Sequence, residues 1–350
     1  MQMLSFINAL KPSQREGAIL VSANGQRERM LVITGPTAIG KTSVSLILAE
    51  MLDGEIVSCD SMKVYKFMDI GTAKPSVEAR MRIPHHIIDV VTPDEHYNVA
   101  TFLRDAKNAI SDISGRGKMP IIVGGTALYL SALLEGYDLP IAPPDEALRE
   151  SLREEAAKLG SKALHERLRK VDPEAATKIH PNDLVRIIRA IEVYELTGKP
   201  ISHYWRTCKN CGGQPRLVMD ALVIGLIASR EWVKRRIDER AVWMLKAGLL
   251  DEIKQLLDMG YSPDLKPMKA LGYREYTQVV LGKKKLEEAF EEFKRNSYMF
   301  EKRQRTWFKK RQYIRWLNVE GAKPEEVARA IMKLIHEDEG RVINHANPLP

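Results

Sequence analysis

The residues Gly35-Pro36-Thr37-Ala38-Ile39-Gly40-Lys41-Thr42 have the spacing G-x-x-x-x-G-K-[ST], a pattern whose chemistry is phosphate binding. Glycines let the backbone curl until successive N–H groups and a helix N-terminus face an anion. Lys41 would supply a point charge to the terminal phosphate, and the Thr42 hydroxyl can hold Mg²⁺. Such a cradle fits ATP, GTP or any pyrophosphate ester, so the reaction must be read elsewhere. The second candidate is Asp60, which follows the strand expected at Glu55–Cys59. Parallel sheets bind ligands at the carboxyl ends of their strands. A carboxylate placed there can act as general base for an incoming nucleophile, although a turn or helix N-cap is a competing role for an aspartate. An NTPase usually adds a strand ending in an acid for Mg²⁺. Here Pro120–Val123 ends in Gly124-Gly125-Thr126, which disfavours a kinase.

These groups need a parallel sheet to position them. From Arg29 onward strands and helices alternate, with strands expected at Met30–Thr34, Glu55–Cys59, Ile87–Val91 and Pro120–Val123. Helices are expected at Lys41–Leu52, Thr101–Ser114 and Thr126–Leu134. Alternation of this kind gives crossover units and an α/β fold, a P-loop parallel sheet flanked by helices. The texture changes near Pro140. Residues 141–214 read as a helical insertion domain, rich in charged helix formers up to Thr197 and loop-like from Gly198 to Pro215. A strand pattern returns at Leu217–Ala228, followed by helices from Arg230, Leu249, Tyr273 and Leu286. The catalytic core is therefore 29–140 with 215–337, between an extension at 1–28 and a frayed tail at 338–350.

Composition bounds the partners. Hydrophobic residues at 44% supply a sizeable core and exclude a disordered or fibrous chain. The longest apolar run, Ala221–Ala228, is far short of the ~20 residues of a membrane helix. Without a basic segment ahead of the N-terminal apolar stretch, and with only three cysteines, the expected compartment is the cytoplasm. Net charge is 54 − 46 = +8, and one segment accounts for as much. Between Lys294 and Arg315 nine Lys or Arg face the single acid Glu301, interleaved with Tyr298, Phe300, Trp307, Phe308 and Tyr313. Cations among aromatics suit a phosphate backbone with bases to stack, while a solvated helix face is the plainer alternative. Cys208 and Cys211 make one C-x-x-C, too few ligands for structural zinc. Cys59, His85 and His86 read as structural.

Together, the blocks Gly35–Thr42, Ser58–Tyr65, Met68–Pro75, Pro84–Asp89, Gly124–Thr126, His180–Asp183 with Arg186 and Arg189, and Ala270–Arg274 resemble the tRNA dimethylallyltransferases, in order, from Met30 to Trp316. That resemblance implies transfer of dimethylallyl from dimethylallyl diphosphate to N6 of the adenosine 3′-adjacent to the anticodon in tRNA, with Mg²⁺. It implies that Gly35–Thr42 hold the diphosphate, with Lys41 and Mg²⁺ at Thr42 neutralising charge. It casts Asp60 as base, with Thr126 supporting the reacting groups. A basic residue after the resumed strand should meet the diphosphate. Arg236 and Arg240 both stand there, and Arg236 is favoured. For the tRNA anticodon stem-loop the resemblance implies contacts from Asp60, Ser61, Met62 and Lys63, from Thr126, Arg149, Arg186 and Arg189, from Lys269, Gly272, Tyr273 and Arg274, and from Lys302, Arg303, Arg305, Trp307 and Lys309. The sequence departs from the pattern at Ile39, where a small residue is usual. A monomer with no membrane partner is expected.

Overall fold

The computed structural model describes residues 29–137, 139–140, 144–205 and 217–345. Cys208 and Cys211, like the extension 1–28, lie outside the described residues. Six strands, β1 (Met30–Thr34), β2 (Gly54–Ser58), β3 (His85–His86), β4 (Met119–Val123), β5 (Ala221–Ile227) and β6 (Arg315–Asn318), form one sheet. Its order is β3-β2-β4-β1-β5-β6, and each neighbouring pair is parallel.

Strands buried on both faces are near-continuously apolar, and β1 is MLVIT, every residue buried, its one hydroxyl, on Thr34, donating to the Gly124 carbonyl at 3.0 Å. Met30 and Val32 join one core cluster with Phe102, Tyr129 and Tyr273. Leu31 and Ile33, pointing the other way, join a second cluster with Leu48, Ile237 and Ile331. Helices supply both layers. Around the sheet run α1 (Lys41–Met51), α2 (Val77–Arg82), α3 (Val99–Gly115) and α4 (Ala127–Glu135). Between α4 and β5 lie α5 (Glu146–Leu159), α6 (Ser161–Val171), α7 (Pro173–Lys178), α8 (Leu184–Thr197) and α9 (Ile201–Tyr204). After β5 follow α10 (Arg230–Lys246), α11 (Leu249–Asp258), α12 (Tyr273–Val280), α13 (Leu286–Phe308) and α14 (Pro324–His345).

Three expectations change. Ile87–Val91 is not a strand, because Ile87 and Asp89 take φ of +62° and +56°, which turns the chain out of the ladder. Lys74 Nζ holds that bend by donating to Asp89 at 2.5 Å. The insertion is a separate compact unit that starts at Glu135, not 141. It has its own apolar cluster around Leu152, Leu164, Leu168 and Ile187. Finally, the chain is not frayed from Asp338. Helix α14 continues to His345, and Asp338 pairs with both Arg29 and Arg315.

Candidate active site

Because β1 is central, the turn after it opens between β4 and β5 at the carboxyl edge of the sheet. Gly35 takes φ +138° there, and a Cβ on it would stand 2.5 Å from the Leu226 carbonyl oxygen of β5. Only glycine passes. Gly40, at φ +98°, starts α1 and has open space around it. Ile39 is buried in the core shared with Val44 and Leu226, so this larger side chain is absorbed beneath the loop. Lys41 Nζ donates to the carbonyls of Gly35 at 2.9 Å and Pro36 at 2.7 Å.

The strand ends on the other side carry the acid. Asp60 follows β2, and the turn Gly124-Gly125-Thr126 follows β4, the strand between β2 and β1. A Cβ on Gly124 would come within 2.0 Å of the Cys59 carbonyl oxygen, so this glycine lets the two strand ends touch. Thr126 N donates to that same carbonyl at 3.3 Å. Thr126 Oγ1 accepts from Ser61 N at 2.9 Å. Asp60 Oδ1 accepts from Met62 N at 2.9 Å, so one carboxylate oxygen holds the turn. The turn role and the reactive role are therefore compatible.

Thr37–Thr42 of the loop, Asp60–Lys63, Gly125 and Thr126 line one cleft of about 800 Å³, whose other wall is formed by α10 and α13. It is crowded with cations. Burial lowers the Lys41 ammonium to about 7, against the opposing pull of Asp60, with Lys63 and Arg240 adding repulsion. Lys63 is lowered to about 8, again chiefly by burial. Arg240 is lowered by burial and supported by Asp60. Its Nη1 donates to Thr37 Oγ1 at 3.1 Å, while its Nε is buried without a partner. Arg236, favoured above, is instead on the cleft rim, 3.4 Å from Glu239 and stacked over Trp232. Packing separates the two: Ile237, Ala241 and Met244 are buried against the core, and Arg240, one turn further along, is the arginine that reaches Thr37 of the loop.

Several residues expected to touch RNA face inward. Tyr273 is fully buried and donates to Glu252 Oε1 at 2.6 Å. Gly272 N donates to Glu275 Oε2 at 2.8 Å, whereas Arg274 keeps its side chain half exposed at the cleft. Lys269 is exposed and paired with Asp264 at 2.9 Å. In the basic segment Arg305 is 8% exposed, donating to Glu301 and to the Ala228 carbonyl at 3.0 Å. It is not available to a phosphate. Trp307 Nε1 reaches Ser131 Oγ at 3.2 Å, with Arg311 over its ring. Lys302, Arg303 and Lys309 are exposed, with no carboxylate partner among the described residues. Within the inserted unit, Arg149 and Arg189 both grip the buried Glu192, at 2.8 and 2.6 Å. Arg186 projects outward beside Asp183.

Sequence reasoning missed Gln304. Its Oε1 accepts from Thr37 N at 2.8 Å, and its Nε2 donates to the Gly125 carbonyl at 2.8 Å. The signal was there in the spacing of α13, where Phe293, Ser297, Glu301, Gln304 and Phe308 recur at helical period and are the buried stripe.

A P-loop with no acid after β4, facing a carboxylate across one cleft, defines a group transferase that handles a phosphate ester. Residues 63–311 match the model of the IPP transferase family. The chain is 46% identical over 314 residues to the tRNA dimethylallyltransferase of Pelotomaculum thermopropionicum, covering 89% of this chain and 98% of that one. It is 43% identical over 320 residues to the tRNA dimethylallyltransferase of Geobacillus thermodenitrificans, covering 91% and 99%. The crystal structure of a full-length tRNA isopentenylpyrophosphate transferase from Bacillus halodurans superposes with a TM-score of 0.66 at 38% identity, over 91% of this chain and all of that one. A eukaryotic dimethylallyltransferase acting on tRNA gives 0.71 at 29%, over 88% and 80%. The chain belongs to the tRNA dimethylallyltransferase family.

Proposed function

We propose that this chain transfers the dimethylallyl group of dimethylallyl diphosphate to N6 of the adenosine 3′-adjacent to the anticodon in tRNA, giving N6-(dimethylallyl)adenosine. The carrying observation is that the phosphate loop residues Thr37–Thr42, Asp60, Gly125 and Thr126 share one cleft. The adenine leaves its stack to enter, since N6 is out of reach in a stacked loop. N6 attacks the allylic carbon, the C–O bond breaks to diphosphate, and Asp60 Oδ2 accepts the N6 proton. Thr126, bonded to Ser61 N, holds the Asp60 turn toward the base. The P-loop amides, Lys41 and Arg240 receive the charge that grows on the leaving diphosphate.

Mg²⁺ fits this donor set when the diphosphate itself supplies most of the oxygens. No cluster of three His, Cys, Asp or Glu exists among the described residues. Mg²⁺ tolerates few protein ligands because it keeps waters and phosphate oxygens. Thr42 would hold it, and the ion would offset leaving-group charge. For tRNA, the exposed Lys302, Arg303, Lys309, Arg274 and Arg186 are the phosphate contacts. No described helix is long and apolar enough to cross a membrane. One chain supplies the whole cleft, which supports a monomer, and its tRNA substrate supports a cytoplasmic site of action.

The test is incubation with labelled dimethylallyl diphosphate and either tRNA or AMP, with γ-labelled ATP as the rival donor. Label in tRNA is the expected result. Label in AMP would redirect the reading to a free nucleotide, and γ-phosphate transfer would restore a kinase.

A further inference from the structure

Gln304 is 5% exposed, on the same helix as the exposed Lys302 and Arg303, with the exposed Lys309 as its C-cap. Its amide is used at both ends: the carbonyl oxygen takes the Thr37 N–H of the P-loop, and the NH₂ serves the Gly125 carbonyl. Each of those groups leads to reacting chemistry. Thr37 also accepts from Arg240 through its hydroxyl. Gly125 precedes Thr126, which holds Ser61 beside Asp60. The fit is close on the turn side, since a Cβ on Gly125 would stand 2.5 Å from Gln304 Nε2. Only a side chain presenting one acceptor and one donor a short distance apart satisfies both neighbours. A carboxylate would repel the Gly125 carbonyl, and an apolar residue would leave a buried N–H and C=O unpaired.

Helical spacing places Lys302 and Lys309 roughly on the far side of α13 from Gln304. An RNA held by those cations therefore steadies the helix that carries the amide. We propose that Gln304 is a positioning residue that couples the RNA-facing helix α13 to the donor loop, so that RNA and diphosphate each strengthen binding of the other. This rests on the reading of the chain as a tRNA dimethylallyltransferase. Ordering of the P-loop, once provided by a helix clamped under RNA, no longer opposes diphosphate binding. Linkage makes the effect reciprocal.

The experiment measures the affinity of inorganic pyrophosphate with and without a saturating tRNA, in the full-length protein, its Gln304→Leu variant and its Gly125→Ala variant. Pyrophosphate occupies the loop without reacting. In the native protein tRNA should tighten pyrophosphate by at least about fivefold, the lower end of ordinary coupling. In Gln304→Leu that ratio should fall to near one, while tRNA alone binds with unchanged affinity and unchanged salt dependence. Gly125→Ala, which displaces the amide from the opposite side, should lose the ratio as well and covers the case in which the leucine variant does not fold. A merely structural role would weaken stability or both affinities and leave the ratio intact. A native ratio of one, or a native-sized ratio in a folded variant, overturns the proposal. If the native protein bound no tRNA, the functional reading would fall with it. Normal transfer to tRNA with an unchanged ratio would sink the coupling alone.

Discussion

Asp60 spends one oxygen on its own turn, at Met62 N, and leaves the other for chemistry. Asp60→Asn keeps the acceptor that holds the turn and removes the base. It should lower kcat by ~10²–10⁴-fold, the scale of a positioned general base, with tRNA affinity little changed. Single-turnover rates with saturating donor check this, and near-native turnover would remove Asp60 from the mechanism. The lysines make a separate prediction. With burial lowering Lys41 to about 7 and Lys63 to about 8, an anion must bring protons with it once pH passes those values. Pyrophosphate itself only gains negative charge as pH rises, so an affinity that falls between pH 7 and 9 must come from the protein. Calorimetry in buffers of different ionisation enthalpy should show proton uptake at pH 8, reduced in Lys63→Met. Proton-neutral binding there would refute the assignment. The choice between Arg236 and Arg240 shows what single residues could not reveal. They are four apart on one helix, so spacing treats them alike. What separates them is the packing of Ile237 and Ala241 against the sheet.

Helix α13 carries the same lesson at the scale of an element. Its cations and aromatics were legible as a polyanion surface, but the run mixes two faces. Lys302, Arg303 and Lys309 are exposed, while Gln304, Arg305 and Phe308 are buried. Replacing Lys302, Arg303 and Lys309 with Gln should flatten the slope of log tRNA affinity against log salt, by up to about 0.9 for each phosphate left without its cation. Arg305→Gln should behave otherwise. It strands the buried Glu301, so it should cost stability on the order of 3 kcal/mol and leave the salt slope alone. Denaturant unfolding and salt titrations of both variants separate the two effects. An unchanged slope in the triple variant would mean that α13 presents only a solvated face. The strands β1, β4 and β5 were legible because burial on both faces forces near-continuous apolar runs, and β2 by its Ile56-Val57 pair, although it also buries Glu55. β3 lies at His85–His86, two residues ahead of the expected start at Ile87, because left-handed φ at Ile87 and Asp89 leaves no trace in hydropathy. β6 was missed because Arg315–Asn318 is a half-buried edge strand, with no run to read.

At the scale of the molecule, the change of texture near Pro140 falls inside the compact unit that begins at Glu135. The offset arises because α4 ends in apolar residues that belong to the sheet's core, Leu133 and Leu134, so composition changes several residues after the packing does. Leu152, Leu164, Leu168 and Ile187 form a cluster of their own. A unit with its own core can melt on its own. The phosphate cradle, by contrast, is built from β1, α1 and the turn after β4, all in the sheet-bearing unit. Calorimetry should therefore resolve two transitions, of which only one answers to pyrophosphate. At about 100 times its dissociation constant the ligand adds roughly 2.7 kcal/mol to the unit that binds it, a shift of roughly 5 °C for a unit of this size. The other transition should stay where it is. Were both to move together, the insertion would unfold with the sheet, and its separate apolar cluster would not be an independent source of stability.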